Sequence, residues 1–203
     1  SSVERFGDTR KTQHDGGNAR GLTQAWDRIV SVVTQPGVDF GHTSIYPFAP
    51  ERAAPLRDAI LDEDGLTYEA HSTDYQPTGA LADLVKNHFF FLKVGPELTF
   101  RFREAIWALA QIEEEIVSGP ASKIRETFEA RMTQEPGYWA DYYSGTEEEL
   151  RILRTYSYSD RIRYYWTDPE ISKSLDLLIE NLSNADLPET VVSQAFTGLD
   201  FGN

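Results

Sequence analysis

Cysteine does not occur in the 203 residues. Its absence excludes disulfides, thiolate metal sites and a cysteine nucleophile. No apolar run approaches the roughly 20 residues needed to cross a bilayer, and the opening Ser1-Ser2-Val3-Glu4-Arg5 has no secretory pattern. Basic residues are scarce, 19 against 33 acidic, for a formal charge of -14. Nucleic acid and anionic membranes bind through excess Lys and Arg, so neither is an expected partner. There is no G-x-x-x-x-G-K-[ST] loop, no G-x-G-x-x-G, no G-x-S-x-G elbow and no H-E-x-x-H. A nucleotide-dependent kinase therefore has no motif to rest on. What is present is 40% apolar residues with 12% aromatics, enough ring surface to demand a packed core. A cytoplasmic globular protein is the expectation.

Hydrophobic patterning divides the chain. Arg28–Gln35 is β-branched, stops at Pro36-Gly37 and reads as a strand buried on both faces. A helix is expected over about 51–61, with Pro55 in its first turns or kinking it. Leu66–His71 reads as a second strand, a helix opens at Gln76-Pro77, and Phe89–Val94 forms a third strand ended by Gly95-Pro96. Thr99 is expected to cap a long helix whose stripe is Phe102, Ala105, Ile106, Leu109, Ile112 and Ile116. The order β-α-β-α-β-α predicts an α/β fold with parallel strands, either doubly wound or part of a (β/α) barrel. Three strands do not close a barrel of eight, so this segment reads as a piece of something larger. After Gly119-Pro120 only helices are expected. They run from a Ser122 cap to about Met132, around Tyr138–Tyr143, over Glu147–Thr155, and from an Asp168-Pro169 cap to near Leu182. The turn Asp15–Asn18 breaks any helix before the first strand.

Ligands of parallel α/β proteins sit at the C-terminal ends of strands. That rule selects Gln35-Pro36-Gly37, Glu69 through Asp74, and Lys93 through Pro96. Glu69 and His71 lie two apart on a strand and share a face, with Ser72 and Asp74 following in the loop. A carboxylate beside an imidazole suits metal coordination or proton transfer, which makes His71 a candidate metal ligand. The plainer alternative has His71 bonded to backbone and Asp74 capping the next helix. Lys93 either faces a phosphate or carboxylate, or snorkels outward. Gly95 leaves backbone amides near a helix start, a weak anion-site signal. Arg161 and Arg163 either clamp a phosphate or form ion pairs within the chain. Tyr164, Tyr165 and Trp166 fit a core or a subunit interface better than a stacking platform. His14, His42 and His88 receive no function.

The strings Tyr68-Glu69-Ala70-His71-Ser72-Thr73-Asp74-Tyr75-Gln76, Leu92-Lys93-Val94-Gly95-Pro96-Glu97-Leu98-Thr99-Phe100 and Ser159-Asp160-Arg161-Ile162-Arg163-Tyr164-Tyr165-Trp166 resemble the GatZ/KbaZ family of tagatose-1,6-bisphosphate aldolase subunits. Val33–Phe40 and Arg103–Glu113 fit the same pattern, in order, through nearly the whole chain. The resemblance implies a TIM-type barrel on a chain about twice this long. This chain would supply the last three βα units over residues 1–118 and a helical C-terminal extension over 119–203. It implies a non-catalytic, stabilising subunit in tagatose or galactitol catabolism. The partner would be a separate zinc-dependent catalytic subunit, or a further copy of the chain. Relatives are associated with C4 epimerisation of ketose phosphates, and some carry the label tagatose-6-phosphate kinase. The enzymatic alternative is therefore a metal-dependent 4-epimerase or class II-type aldolase acting on tagatose phosphates. In it, Glu69, His71 and Asp74 do the chemistry, and Gln35, Ser72, Lys93 and Gly95 hold the sugar phosphate with Arg161 and Arg163. The cofactor stays open, a divalent metal such as zinc being the one this alternative needs.

Overall fold

The computed structural model describes residues 28–196. The turn at Asp15–Asn18, His14 and the last residues from 197 onward lie outside the described part. Contacts divide the chain into two compact units, Ser1–Gly95 and Pro96–Asn203.

The first unit runs β1 (Ser31–Val33), β2 (Asp39–Phe40), β3 (Ile45–Tyr46), α1 (Pro50–Leu61), β4 (Thr67–Ala70), α2 (Thr78–Lys86) and β5 (Phe89–Leu92). Its sheet is parallel, in the order β1-β4-β5. Val32, Tyr68, Ala70 and Phe89 pack with Ile60 of α1 and Leu84 of α2 into one core. The Tyr68 ring stacks on Phe89 at 5.1 Å, and its hydroxyl donates to the Leu56 carbonyl at 3.0 Å. This is why the alternating residues of β4 are aromatic and small: they face a helical layer.

The first strand departs from expectation. Only Ser31–Val33 is extended, and Val33 is 58% exposed instead of buried. Among the described residues β1 is an edge strand, and Val33 stands on the side of the sheet opposite the α1 and α2 layer. A hairpin of β2 and β3 follows, which the sequence did not announce because two residues per strand carry no readable period.

The second unit contains α3 (Pro96–Ile116), α4 (Ile124–Gln134), α5 (Glu147–Tyr156), α6 (Pro169–Ser183) and α7 (Glu189–Ala195), with 3₁₀ turns at Pro136–Tyr138 and Arg161–Tyr165. α3 packs on α4, α6 and α7, so by compactness it groups with the later helices. The helix starts at Pro96, not at Thr99, because proline is preorganised for a first helical turn. The Thr99 hydroxyl instead donates to Asp160 at 2.5 Å and also lies 3.0 Å from the Pro96 carbonyl. Its buried stripe also differs, taking in Phe100, Arg103 and Glu113 while Phe102 stands half exposed. The buried charges have partners, although Arg103 Nη2 has no hydrogen bond among the described residues. Arg103 Nε meets Asp160 at 3.0 Å, and the Glu113 carboxylate accepts from the Ser122 amide and hydroxyl and from Asn181. Ser122 therefore ties two segments together rather than capping α4, whose cap position is Lys123 in the left-handed region. α5 opens on a capping box of Thr146 and Glu149. α7 was not anticipated.

Asp168 caps α6 as expected, accepting from the Glu170 amide at 2.9 Å, and it also meets Arg131 of α4 at 2.7 Å. Burial pushes this carboxyl up, but the Arg131 bond and the amides of Glu170 and Ile171 outweigh it, and the net shift is downward. A depressed carboxyl contributes its stability above the usual aspartate range and loses it as pH falls through the folded value. The stability gap between the wild type and Asp168→Asn is thus expected to be constant near neutrality and to close below about pH 4. Urea unfolding across that range checks it; a gap that stays constant into acid would remove the carboxylate from the account.

Candidate functional site

Because β1, β4 and β5 are parallel, their C-terminal ends line one edge of the sheet, and the residues following them are Gln35, His71 through Asp74, and Lys93 through Gly95. Hydrogen bonds knit this edge together. The Thr34 amide donates to the Glu69 carbonyl at 2.9 Å, and the Lys93 amide to the Ala70 carbonyl at 2.9 Å. Thr73 donates both its amide and its hydroxyl to the Lys93 carbonyl.

Glu69 and His71 form a pair, Oε1 to Nε2 at 2.8 Å, with about a third of each side chain exposed. The i, i+2 spacing on a strand accounts for it, since both side chains leave the same face. Register places Glu69 beside Val33 of β1 and Phe91 of β5, away from the helical layer.

Asp74 has a different character. It is 2% exposed, and its Oδ1 accepts from the Gly95 amide at 2.8 Å. That bond joins the β4 loop to the turn after β5, which makes Asp74 a positioning residue rather than a group offered to solvent. It also engages the amide that an anion at Gly95 would need, and Pro96 brings no N–H of its own. Ser72 is half-buried with φ 57°, in the left-handed region, and Tyr75 shares that conformation at φ 62°. Left-handed backbone outside glycine costs about 1–2 kcal/mol and persists where surrounding bonds impose it. Here they do: Thr73 and Asp74 are pinned toward β5, and the Tyr75 ring meets Phe40 edge-on at 5.4 Å.

Gln76 was not singled out by the sequence. Its side chain accepts from the Phe48 amide at 2.9 Å and donates to the Tyr46 carbonyl at 3.2 Å, clamping the chain after β3 against the β4 loop. Its only sequence signal was the Pro77 that follows, which marks a helix start and says nothing of a clamp.

Gln35 and Lys93 have exposed side chains at the same edge. Arg161 and Arg163 belong to the helical unit, where neither forms an ion pair among the described residues. Arg161 donates Nε to the Tyr138 carbonyl and lies over the Tyr142 ring at 3.4 Å. Arg163 donates to the Ser159 carbonyl and the Tyr164 hydroxyl. Tyr164 is exposed, whereas Tyr165 is a core residue. Also in this unit, a groove of about 590 Å³ between α4 and α5 carries mixed charges, including Glu126, Glu129, Arg125 and Arg151.

Among the described residues, no group of three or more His, Cys, Asp or Glu side chains is placed to hold a metal ion. Glu69 and His71 supply two donors, short of the three protein ligands a catalytic zinc takes, so no step is derived through a metal. No helix of the described residues is long and apolar enough to cross a membrane.

Comparison with known proteins places this arrangement. The crystal structure of a probable tagatose 6 phosphate kinase from Sinorhizobium meliloti 1021 matches with a TM-score of 0.92 and 40% identity over 98% of this chain. The chain spans about half of that protein, 51% of its length. The family model of D-tagatose-1,6-bisphosphate aldolase subunits of the GatZ/KbaZ-like type matches residues 1–199. This chain therefore belongs to the GatZ/KbaZ-like family of D-tagatose-1,6-bisphosphate aldolase subunits.

Proposed function

We propose that the chain is the C-terminal part of a TIM-type (β/α)8 barrel and acts in the cytoplasm as a non-catalytic, stabilising subunit of a tagatose-1,6-bisphosphate aldolase. In this reading residues 1–118 carry the last three βα units and 119–203 a helical extension. The observation that carries it is the strand-end edge: three parallel strands offer one open acid–imidazole pair, while the neighbouring carboxylate, Asp74, is committed to backbone. Such an edge holds a shape and a polar rim without a full reacting set. The kinase description belongs to the Sinorhizobium protein; the present sequence has no phosphate-cradling loop of the nucleotide type.

A second reading is favoured by one feature, the 2.8 Å contact of His71 with Glu69. A carboxylate that orients an imidazole is an arrangement for moving a proton at neutral pH. It fits a ketose-phosphate 4-epimerase or class II-type aldolase, with Lys93 and Gln35 facing a sugar phosphate.

The test adds this protein, wild type or His71→Ala, to a purified zinc-dependent tagatose-1,6-bisphosphate aldolase catalytic subunit. Aldol cleavage and half-life at elevated temperature are then measured. The subunit reading expects stimulation to persist within about twofold in His71→Ala, because the exposed pair is worth at most about 1 kcal/mol to the fold. Turnover of tagatose 6-phosphate by this chain alone, abolished in His71→Ala, would establish the second reading instead.

A further inference from the structure

We infer that Tyr138, Tyr142, Tyr164, Arg161 and Arg163 form the surface of the helical unit on which the catalytic aldolase subunit docks, with Arg161 receiving a carboxylate of that partner. The inference rests on the subunit reading above and goes beyond it in naming the surface and the charge it recognises.

The rings are exposed, yet held. Tyr138, Tyr142 and Tyr164 are 52%, 55% and 40% exposed. Tyr138 stacks on Tyr164 at 5.4 Å and meets the buried Tyr165 edge-on at 5.4 Å, which ties the patch to the core. Tyrosines fixed in this way offer a large contact area and lose little freedom on binding. Tyrosine and arginine are also the residues in which binding energy concentrates at protein interfaces.

The arginines determine what kind of surface fits. Arg161 donates Nε to the Tyr138 carbonyl and lies 3.4 Å over the Tyr142 ring, so its guanidinium is fixed. Its terminal nitrogens make no hydrogen bond among the described residues. The end of the fork, with two parallel donors, is therefore open to a carboxylate. The chain carries 33 acidic residues, and Asp141 stands next to Tyr142 in sequence. Neither Arg161 nor Arg163 nonetheless forms an ion pair among the described residues. The charge of the buried Asp160 acts on Arg163, so Arg161 holds the larger share of the unanswered charge. Two cations on this surface are too few for nucleic acid or an anionic membrane. A second copy would bring its own charge of -14, which opposes self-association. An unlike protein chain that presents a carboxylate among apolar groups meets both the rings and the fork.

The probe is a purified zinc-dependent tagatose-1,6-bisphosphate aldolase catalytic subunit, titrated with this protein and followed by sedimentation. Arg161→Gln is expected to weaken the complex roughly 30-fold, since the charge and the fork are both lost. Glutamine keeps an amide that can donate to the Tyr138 carbonyl, and an unchanged melt of the variant confirms that the fold survives. Arg161→Lys should fall between the two, because it keeps the charge without the fork. Arg163→Gln, the second variant, is expected to weaken the complex less. The wild-type complex should also weaken with rising salt, more steeply than that of Arg161→Gln. A complex indifferent to both glutamine substitutions and to salt overturns the inference and leaves the subunit reading standing. Absence of any complex overturns both. Self-association of this chain that Arg161→Gln abolishes would make a second copy the occupant and also overturns the inference. A complex that depends on Arg161 but does not stimulate aldol cleavage overturns the subunit reading alone.

Discussion

Replacing Arg103 by methionine is expected to destabilise the helical unit by about 3–5 kcal/mol at neutral pH, one of the two largest single losses in this chain. Arg103 is buried in α3, with Nε 3.0 Å from Asp160 and its guanidinium 4.3 Å from the Phe100 ring centroid. Asp160 is equally buried, and Thr99 donates to its second oxygen at 2.5 Å. Burial pushes the Asp160 carboxyl above its ordinary range, with Thr99 and Arg103 pulling against it. Methionine matches much of the arginine stem, so packing survives while the counter-charge is lost. What remains is a desolvated carboxylate held by the Thr99 hydroxyl and the charge of Arg163, and with Arg103 gone its folded value rises further. A carboxyl raised in the folded state loses stability as pH rises through that value. The deficit of Arg103→Met is therefore expected to be small in acid and to grow toward neutrality, the opposite sense to that of Asp168. Urea unfolding at acidic and neutral pH reads it directly. The double variant Arg103→Met/Asp160→Asn should recover part of the loss, since asparagine keeps the left-handed backbone at φ 47° and carries no charge. A pH-independent deficit, or no recovery in the double variant, would show that the arginine acts through packing alone.

Phe128→Ala is the second large effect, expected to cost about 3–5 kcal/mol through lost burial and the cavity left behind. Phe128 is 1% exposed on α4, and its ring meets Trp107 edge-on at 5.5 Å and Trp166 at 4.6 Å. Truncation removes the shared partner of two indoles that cannot both move in, because each is held by its own segment. For a unit of this size the melting point should fall by roughly 15 °C or more. Tryptophan emission should shift to the red as Trp107 and Trp166 gain water. Phe91→Ala, on the exposed side of the sheet, is the contrasting case, expected to stay within about 0.5 kcal/mol for this chain alone. A Phe128→Ala protein that melts within a few degrees of wild type would mean the helical core repacks freely.

The elements legible in the sequence were those with a period to read. The strands at Thr67–Ala70 and Phe89–Leu92, the helices Pro50–Leu61 and Glu147–Tyr156, and the Asp168-Pro169 cap all follow from local patterning or cap chemistry. The pairing of Glu69 with His71 was legible too, because i and i+2 on a strand share a face whatever surrounds them. Asp74 shows the limit. A carboxylate in a strand-end loop looks the same in sequence whether it faces a ligand or an amide twenty-one residues away, and only the parallel pairing of β4 with β5 brought Gly95 to it.

By itself, then, the sequence determined the alternation of strands and helices, the parallel sheet, the family and the open acid–imidazole pair. Each is a matter of residue type and short spacing along one chain. The tertiary structure decided which side of the first strand is bare, that Arg103 and Glu113 belong inside, that Ser122 ties rather than caps, and that Gln76 clamps the loop beside the site. Those outcomes depend on partners far apart in the chain, and the cost of burying a charge or baring a valine is set by what stands opposite it.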